Sequence, residues 1–141
     1  MTFNTPSNIG LFNAELGIEI DEWRDGFVKI SMSAAPRHMN RSGFLHGGVV
    51  TSLLDVAGGY AGCWCSVEGN VRRAVTISLN TNFLRSGGVG ELIAIGKVVG
   101  GGKKIFFCQM DVFNKSGDKI AFGTANYKYL RGSEAIEGVE P

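Results

Sequence analysis

The residue types able to do chemistry gather in one stretch of this chain. Between Gly47 and Val67 the one charged side chain is Asp55, with apolar residues on both sides. A carboxylate in such surroundings can accept a proton as a general base or attack a carbonyl as a nucleophile. The sequence does not separate these; the alternative without chemistry is a structural acid paired to a buried partner. Gly47 and Gly48 stand just ahead, directly after His46. If the stretch is helical, their amides lie at its positive end, unpaired within the helix. Two glycines there would let a ligand carbonyl approach and find an oxyanion site. The same pair also suits a tight loop-to-helix turn with no ligand.

Other chemistries find less support. His38 and His46 are the only histidines, so a His-rich metal site is not available, and no metal or separate cofactor is expected. Cys63, Cys65 and Cys108 are an odd number and form no C-x-x-C; they read as reduced, buried, small hydrophobes. The net charge is +1, from 14 basic and 13 acidic residues with no run of either sign. That argues against a nucleic-acid or anionic-membrane partner. Met1 to Gly10 shows no basic n-region and no apolar h-region, so the expectation is a cytoplasmic protein without a secretory signal. Charged residues make up only 19% against 44% hydrophobic, which leads us to expect apolar surface buried between subunits.

The elements that must position Asp55 follow from periodicity. Gly47 to Val67 is long and apolar enough to consider a membrane span. A central carboxylate and the interrupting glycines favour one helix, buried on nearly every side, in a single domain. At 100° per residue, Gly48, Thr51, Ser52, Asp55, Gly58, Gly59 and Gly62 share one stripe, while Val50, Leu53, Ala57, Tyr60 and Trp64 oppose it. Glycines cost a helix roughly 1 kcal/mol each against alanine. Three beside one acid imply that a ligand or a second backbone comes close there.

Ile18, Ile20 and Trp23 against Val28, Ile30 and Met32, separated by Arg24-Asp25-Gly26, read as a hairpin. Strands are expected over Ala74–Leu84, Glu91–Val99, Lys104–Phe113 and Lys119–Leu130, joined by short turns into an antiparallel meander. Strict alternation groups Thr76 with Ser78, Asn80 and Asn82 on one polar face. Gly132 to Pro141 is polar and aperiodic and reads as a loose tail. The result is an α+β domain spanning 1–141, one sheet of five to six strands wrapped around one helix.

The segment from Asn40 to Asp55 carries the pattern N-x5-H-G-G-x6-D. It resembles the hotdog-fold acyl-CoA thioesterases that bear their acid on the central helix, and the order of elements from about residue 10 to 130 agrees. The resemblance implies hydrolysis of an acyl-CoA thioester, with CoA as part of the substrate. It implies that Asn40 helps hold the substrate carbonyl or the water, and that His46 fixes the loop or meets the leaving sulfur. Thr76 takes the place of the family's water-binding hydroxyl. In Gly100-Gly101-Gly102-Lys103-Lys104 the resemblance implies that Gly102, Lys103 and Lys104 receive the phosphates of CoA, while Gly48 at the helix start helps bind the substrate. Read alone, that run is a glycine-rich turn with solvated lysines and no Walker motif. The alternative function is a hotdog module that binds acyl-CoA without turnover. A hydratase fits less well, because His46 and Asp55 are not placed as a pair. Phe44, Tyr60, Trp64 and Phe83 suit an aromatic or an aliphatic acyl pocket equally.

Distance then sets the assembly. Gly47 and Asp55 are eight residues apart, about 12 Å along a helix. A held carbonyl must lie within roughly 3–3.5 Å of the attacking atom. One chain's Asp55 is too far from its own Gly47, so a homodimer with antiparallel helices and shared sites is expected, further paired as a dimer of dimers.

Overall fold

The computed structural model describes residues 9–141. Residues 1–8, part of the stretch that bears on the expected absence of a signal, lie outside the described residues. A short helix α1 (Leu11–Leu16) precedes the hairpin β1 (Glu19–Arg24) and β2 (Phe27–Ala34). The long helix α2 (Gly47–Gly62) follows, and then β3 (Ala74–Phe83), β4 (Gly90–Gly101), β5 (Ile105–Asn114) and β6 (Lys119–Tyr129). The six strands form one antiparallel sheet in the order β1-β2-β4-β5-β6-β3. This is the hotdog arrangement of one sheet around one helix.

Two expectations about the chain path need correction. β4, β5 and β6 form a meander, but β3 does not join it in sequence order; it lies beyond β6 at the far edge. The cause is α2, which enters from β2 and leaves to β3. Its 16 residues extend about 24 Å, enough to carry the chain across four strand spacings of about 4.8 Å. The helix also ends at Gly62, with Cys63 as its cap, rather than at Val67. Near this end side chains from the sheet take up carbonyls: Tyr129 Oη donates to Gly62 O at 2.5 Å and Trp23 Nε1 to Tyr60 O at 2.8 Å. Carbonyls satisfied from the sheet let the helix stop there.

The core sits between α2 and the concave face. Leu53, Leu54 and Ala57 are fully enclosed, against Ile30 of β2, Leu92 of β4 and Met110 of β5. Each such leucine contributes about 1.5–3 kcal/mol by burial. No helix among the described residues is long and apolar enough to cross a membrane.

The C-terminal stretch is not the loose tail expected. Val139 bridges Val71, and Ser133 is buried with its Oγ accepting from Arg73 N at 2.9 Å. Arg72 spends its guanidinium on the carbonyls of Ser133, Trp64 and Glu134 and stacks 4.3 Å over the Tyr129 ring. A polar segment without periodicity is here fastened by one arginine far from it in sequence.

Candidate active site

Asp55 lies midway along α2, half-buried, and accepts a 2.7 Å hydrogen bond at Oδ1 from Thr76 Oγ1. That Thr76 faces the helix depends on a β-bulge. The register of β3 on β6 shifts between Thr76 and Ser78, so Thr76 pairs with Tyr127 while Ser78 pairs with Asn126. The bulge at Ile77 breaks the alternation that grouped Thr76 with Ser78, Asn80 and Asn82, and it turns Thr76 inward. Beyond the bulge the inner row continues along the helix. Thr81 Oγ1 lies 3.2 Å from Thr51 Oγ1, and the Phe83 ring covers Gly47, where an added Cβ would meet Cζ at 3.2 Å. One edge strand thus follows α2 from Asp55 to its N-terminus.

Tyr127, which no local pattern in the sequence marks, completes the setting of Asp55. Its hydroxyl donates to the Asp55 carbonyl at 2.9 Å, and burial, then the neighbouring Asp55 charge, push its pKa upward. A buried neutral phenol therefore braces the helix where it carries the acid. Thr76 engages Oδ1, which leaves Oδ2 as the oxygen available to a ligand.

At the helix N-terminus His46 is the cap, and its Nδ1 accepts from Gly48 N at 2.8 Å. Accepting at Nδ1 leaves Nε2 to carry the proton. The Gly48 amide is thereby committed to the imidazole, whereas the Gly47 amide meets no acceptor among the described residues. Asn40 shapes the preceding loop: its Oδ1 accepts from Ser42 N at 2.9 Å and Phe44 N at 3.1 Å. Only the Asn40 side-chain NH2 remains to donate elsewhere.

Among the described residues the acid and the helix N-terminus line different hollows. Asp55 lines a groove of about 410 Å³ with Val56, Gly59, Tyr60, Arg73 and Thr76. His46 and Gly48 line a separate hollow of about 390 Å³ with Phe12, Met39 and Ser52. The glycine stripe is also split by what it meets. Gly58 and Gly62 give way to the Tyr127 and Phe106 rings of the sheet, leaving Gly59 on the groove. Part of the space read as room for a ligand is therefore room for the sheet.

Gly102, Lys103 and Lys104 are exposed in the turn between β4 and β5, outside both hollows. Of the four aromatic candidates, Tyr60 lines the groove and Phe83 covers Gly47, while Phe44 is exposed and Trp64 lies past the helix end. Burial pushes the thiols of Cys63 and Cys108 up to about 12, so neither supplies a thiolate at neutral pH. Among the described residues no three His, Cys, Asp or Glu gather as a metal site.

Comparison with known proteins gives consistent matches. Residues 42–121 match the thioesterase superfamily. The medium/long-chain acyl-CoA thioesterase YigI of Escherichia coli is 27% identical over 129 residues, covering 82% of this chain and 83% of that protein. The structure of the PaaI protein from the phenylacetic acid degradation operon of E. coli superposes with a TM-score of 0.77 at 28% identity, over 86% of each chain. A Haemophilus influenzae thioesterase structure gives a TM-score of 0.75 at 27% identity, over 84% of this chain and 82% of that one.

Proposed function

Because this chain belongs to the thioesterase superfamily and is on that ground a thioester hydrolase, we propose that it hydrolyses acyl-CoA thioesters with Asp55 as the essential carboxylate. The observation that carries this reading is the Thr76–Asp55 hydrogen bond of 2.7 Å at the wall of a groove. It fixes one carboxylate oxygen and leaves the other for water. In the reaction Asp55 takes a proton from water as the oxygen adds to the thioester carbonyl. The C–S bond then breaks and the thiolate takes that proton back, giving acid and free CoA. A thiolate leaves readily, so one carboxylate and one carbonyl-polarising amide are sufficient machinery. Single turnover in 18O-labelled water checks the choice of base over nucleophile: Asp55 should acquire no label.

The polarising amide is that of Gly47, assisted by the Asn40 side-chain NH2, and it comes from a second copy of the chain. Along α2 the two positions are about 12 Å apart, and a reacting carbonyl must sit within roughly 3–3.5 Å of the attacking atom. The separate hollows at Asp55 and at His46 support the same division. β3 is an edge strand, with Val75, Ile77 and Phe83 exposed, and offers itself to a partner. A homodimer with shared sites follows from this reading, and we extend the proposal to a cytoplasmic dimer of dimers. The test mixes Asn40→Ala and Asp55→Ala proteins, each inactive alone. After co-refolding, half the dimers are mixed with one intact site of two, returning about a quarter of wild-type activity. A mixture as dead as its parents, with subunit exchange verified, overturns the shared site.

A further inference from the structure

Three glycines follow Asp55 on α2, and their surroundings differ. A Cβ at Gly58 would collide with the Tyr127 hydroxyl, and one at Gly62 with the Phe106 ring, so the sheet requires both glycines. Gly59 has no such neighbour. A Cβ there would meet one described atom outside its own stretch of helix, Tyr127 Cε1, at an ordinary 3.7 Å. Its φ lies outside the left-handed region, so the backbone does not require glycine either. A glycine inside a helix costs stability against alanine, and here neither packing nor conformation calls for it.

What Gly59 keeps clear is the groove at Asp55. The two residues are four apart and neighbours on one helix face, a spacing of about 5–6 Å between Cβ positions. A side chain grown at 59 would enter the groove one turn beyond the acid, where an acyl group departs from a carbonyl held near Asp55. The flanking rings are fixed in place. Tyr127 stacks on Phe106 at 5.0 Å and donates to the Asp55 carbonyl. Tyr60 meets Trp23 edge-on at 5.3 Å, and Trp23 Nε1 donates to the Tyr60 carbonyl at 2.8 Å. With these walls held, the space at residue 59 sets the width available beside the reacting carbon.

We propose that Gly59 determines acyl specificity: its missing side chain admits acyl groups that are broad at the carbons next to the thioester, branched or ring-bearing, as well as straight chains. The inference rests on Asp55 marking the place of hydrolysis. A volume of about 410 Å³, with Val56, Tyr60 and Ala74 among its walls, suits such a hydrocarbon body.

The experiment measures kcat/KM for acetyl-CoA, hexanoyl-CoA and 2-ethylbutanoyl-CoA, the last two being straight and branched groups of equal carbon count. Wild type should turn over the branched substrate with kcat/KM of the same order as the straight one. Gly59→Ala should lower the ratio of branched to acetyl by about tenfold or more, the effect of one methyl group in an apolar pocket. Gly59→Leu should extend the loss to hexanoyl-CoA. Gly59→Ala should also raise Tm, because alanine is the better helix former. The idea is overturned if wild type rejects the branched group, or if its ratio to acetyl is unchanged in both variants. It is equally overturned if Gly59→Ala lowers Tm and slows all the substrates alike, which would assign the gap to the fold or to a second copy of the chain. If wild type turns over no thioester, the hydrolase reading fails separately. Calorimetry with the CoA thioethers of the same straight and branched alkyl groups then decides the point. Selective loss of the branched thioether in Gly59→Leu upholds the role of Gly59, and unchanged relative affinity overturns it.

Discussion

The two ends of the row shared by α2 and β3 are built on different plans. At Asp55 the support comes from the sheet: Thr76 holds the carboxylate and Tyr127 holds the carbonyl of the same residue. At Gly47 and Gly48 the support comes from the loop itself, through the His46 imidazole on Gly48 and the Asn40 carboxamide on Ser42 and Phe44. The acid end is anchored by strands distant in sequence and tolerates little movement. The amide end is assembled mostly within its own loop, with His46 and Gly48 exposed, Gly47 half-buried under the Phe83 ring and the Gly47 amide still available. On the reading proposed above, the rigid reactive group would come from one chain and the donor cradle from another.

Changes at the acid end test that contrast most severely. Asp55→Asn and Asp55→Ala should remain folded and lose at least about two orders of magnitude in kcat, the scale for removing a base. Thiol-release assays with circular dichroism as the control for folding check this, and retention of most of kcat moves the chemistry elsewhere. Thr76→Val keeps the strand and removes the donor to Oδ1. It should lower kcat by about tenfold, the effect of one hydrogen bond to a charged group, with KM little changed. An unchanged kcat would mean that the bulge at Ile77 serves the sheet rather than the acid.

At the amide end the effect should fall first on stability. His46→Ala removes the helix cap and should cost about 1 kcal/mol in chemical denaturation, with a several-fold loss of activity from a loosened Gly47. His46→Asn supplies another capping side chain and should restore both. If Asn restores stability while activity stays low, the imidazole Nε2 reaches the substrate and the amide end is not simply self-supporting.

What could be read from the sequence follows the same divide. Local signals were legible: the hairpin around Asp25-Gly26, the strand limits to within a few residues, and the start of a helix at Gly47 after His46. Asp55 stood out because a lone acid in an apolar segment needs a reason. Long-range matters were not legible. Alternation cannot register an inserted residue, so the bulge that turns Thr76 toward Asp55 had no trace in the pattern. Gly58 and Gly62 looked like room for a ligand, because nothing local says that Tyr127 and Phe106 will fill the space. The short helix α1 lacks both a side-chain cap bond and any fully buried residue, and it gave no sign. The polar C-terminal stretch seemed free because its fastener, Arg72, lies some sixty residues earlier.

The smallest effect is expected farthest from both ends, in the turn between β4 and β5. Lys103 and Lys104 are exposed there, beside the glycines that form the turn, and line neither hollow. Any part they play in the reaction must therefore pass through a portion of the substrate that leaves the groove, and the phosphates of CoA are the anionic portion that extends furthest. Solvent-exposed cations contribute little each, about 0.2–1 kcal/mol, so the double substitution Lys103→Ala with Lys104→Ala should raise KM for acyl-CoA by only a few-fold. Turnover at saturation should stay the same, since neither lysine is near Asp55. Raising the salt concentration should shrink the difference between variant and wild type, because exposed pairs are screened within about 8–10 Å. With an N-acetylcysteamine thioester of the same acyl group the variant and wild type should be indistinguishable. Equal losses on both substrates would show that the turn acts through the fold rather than through phosphate.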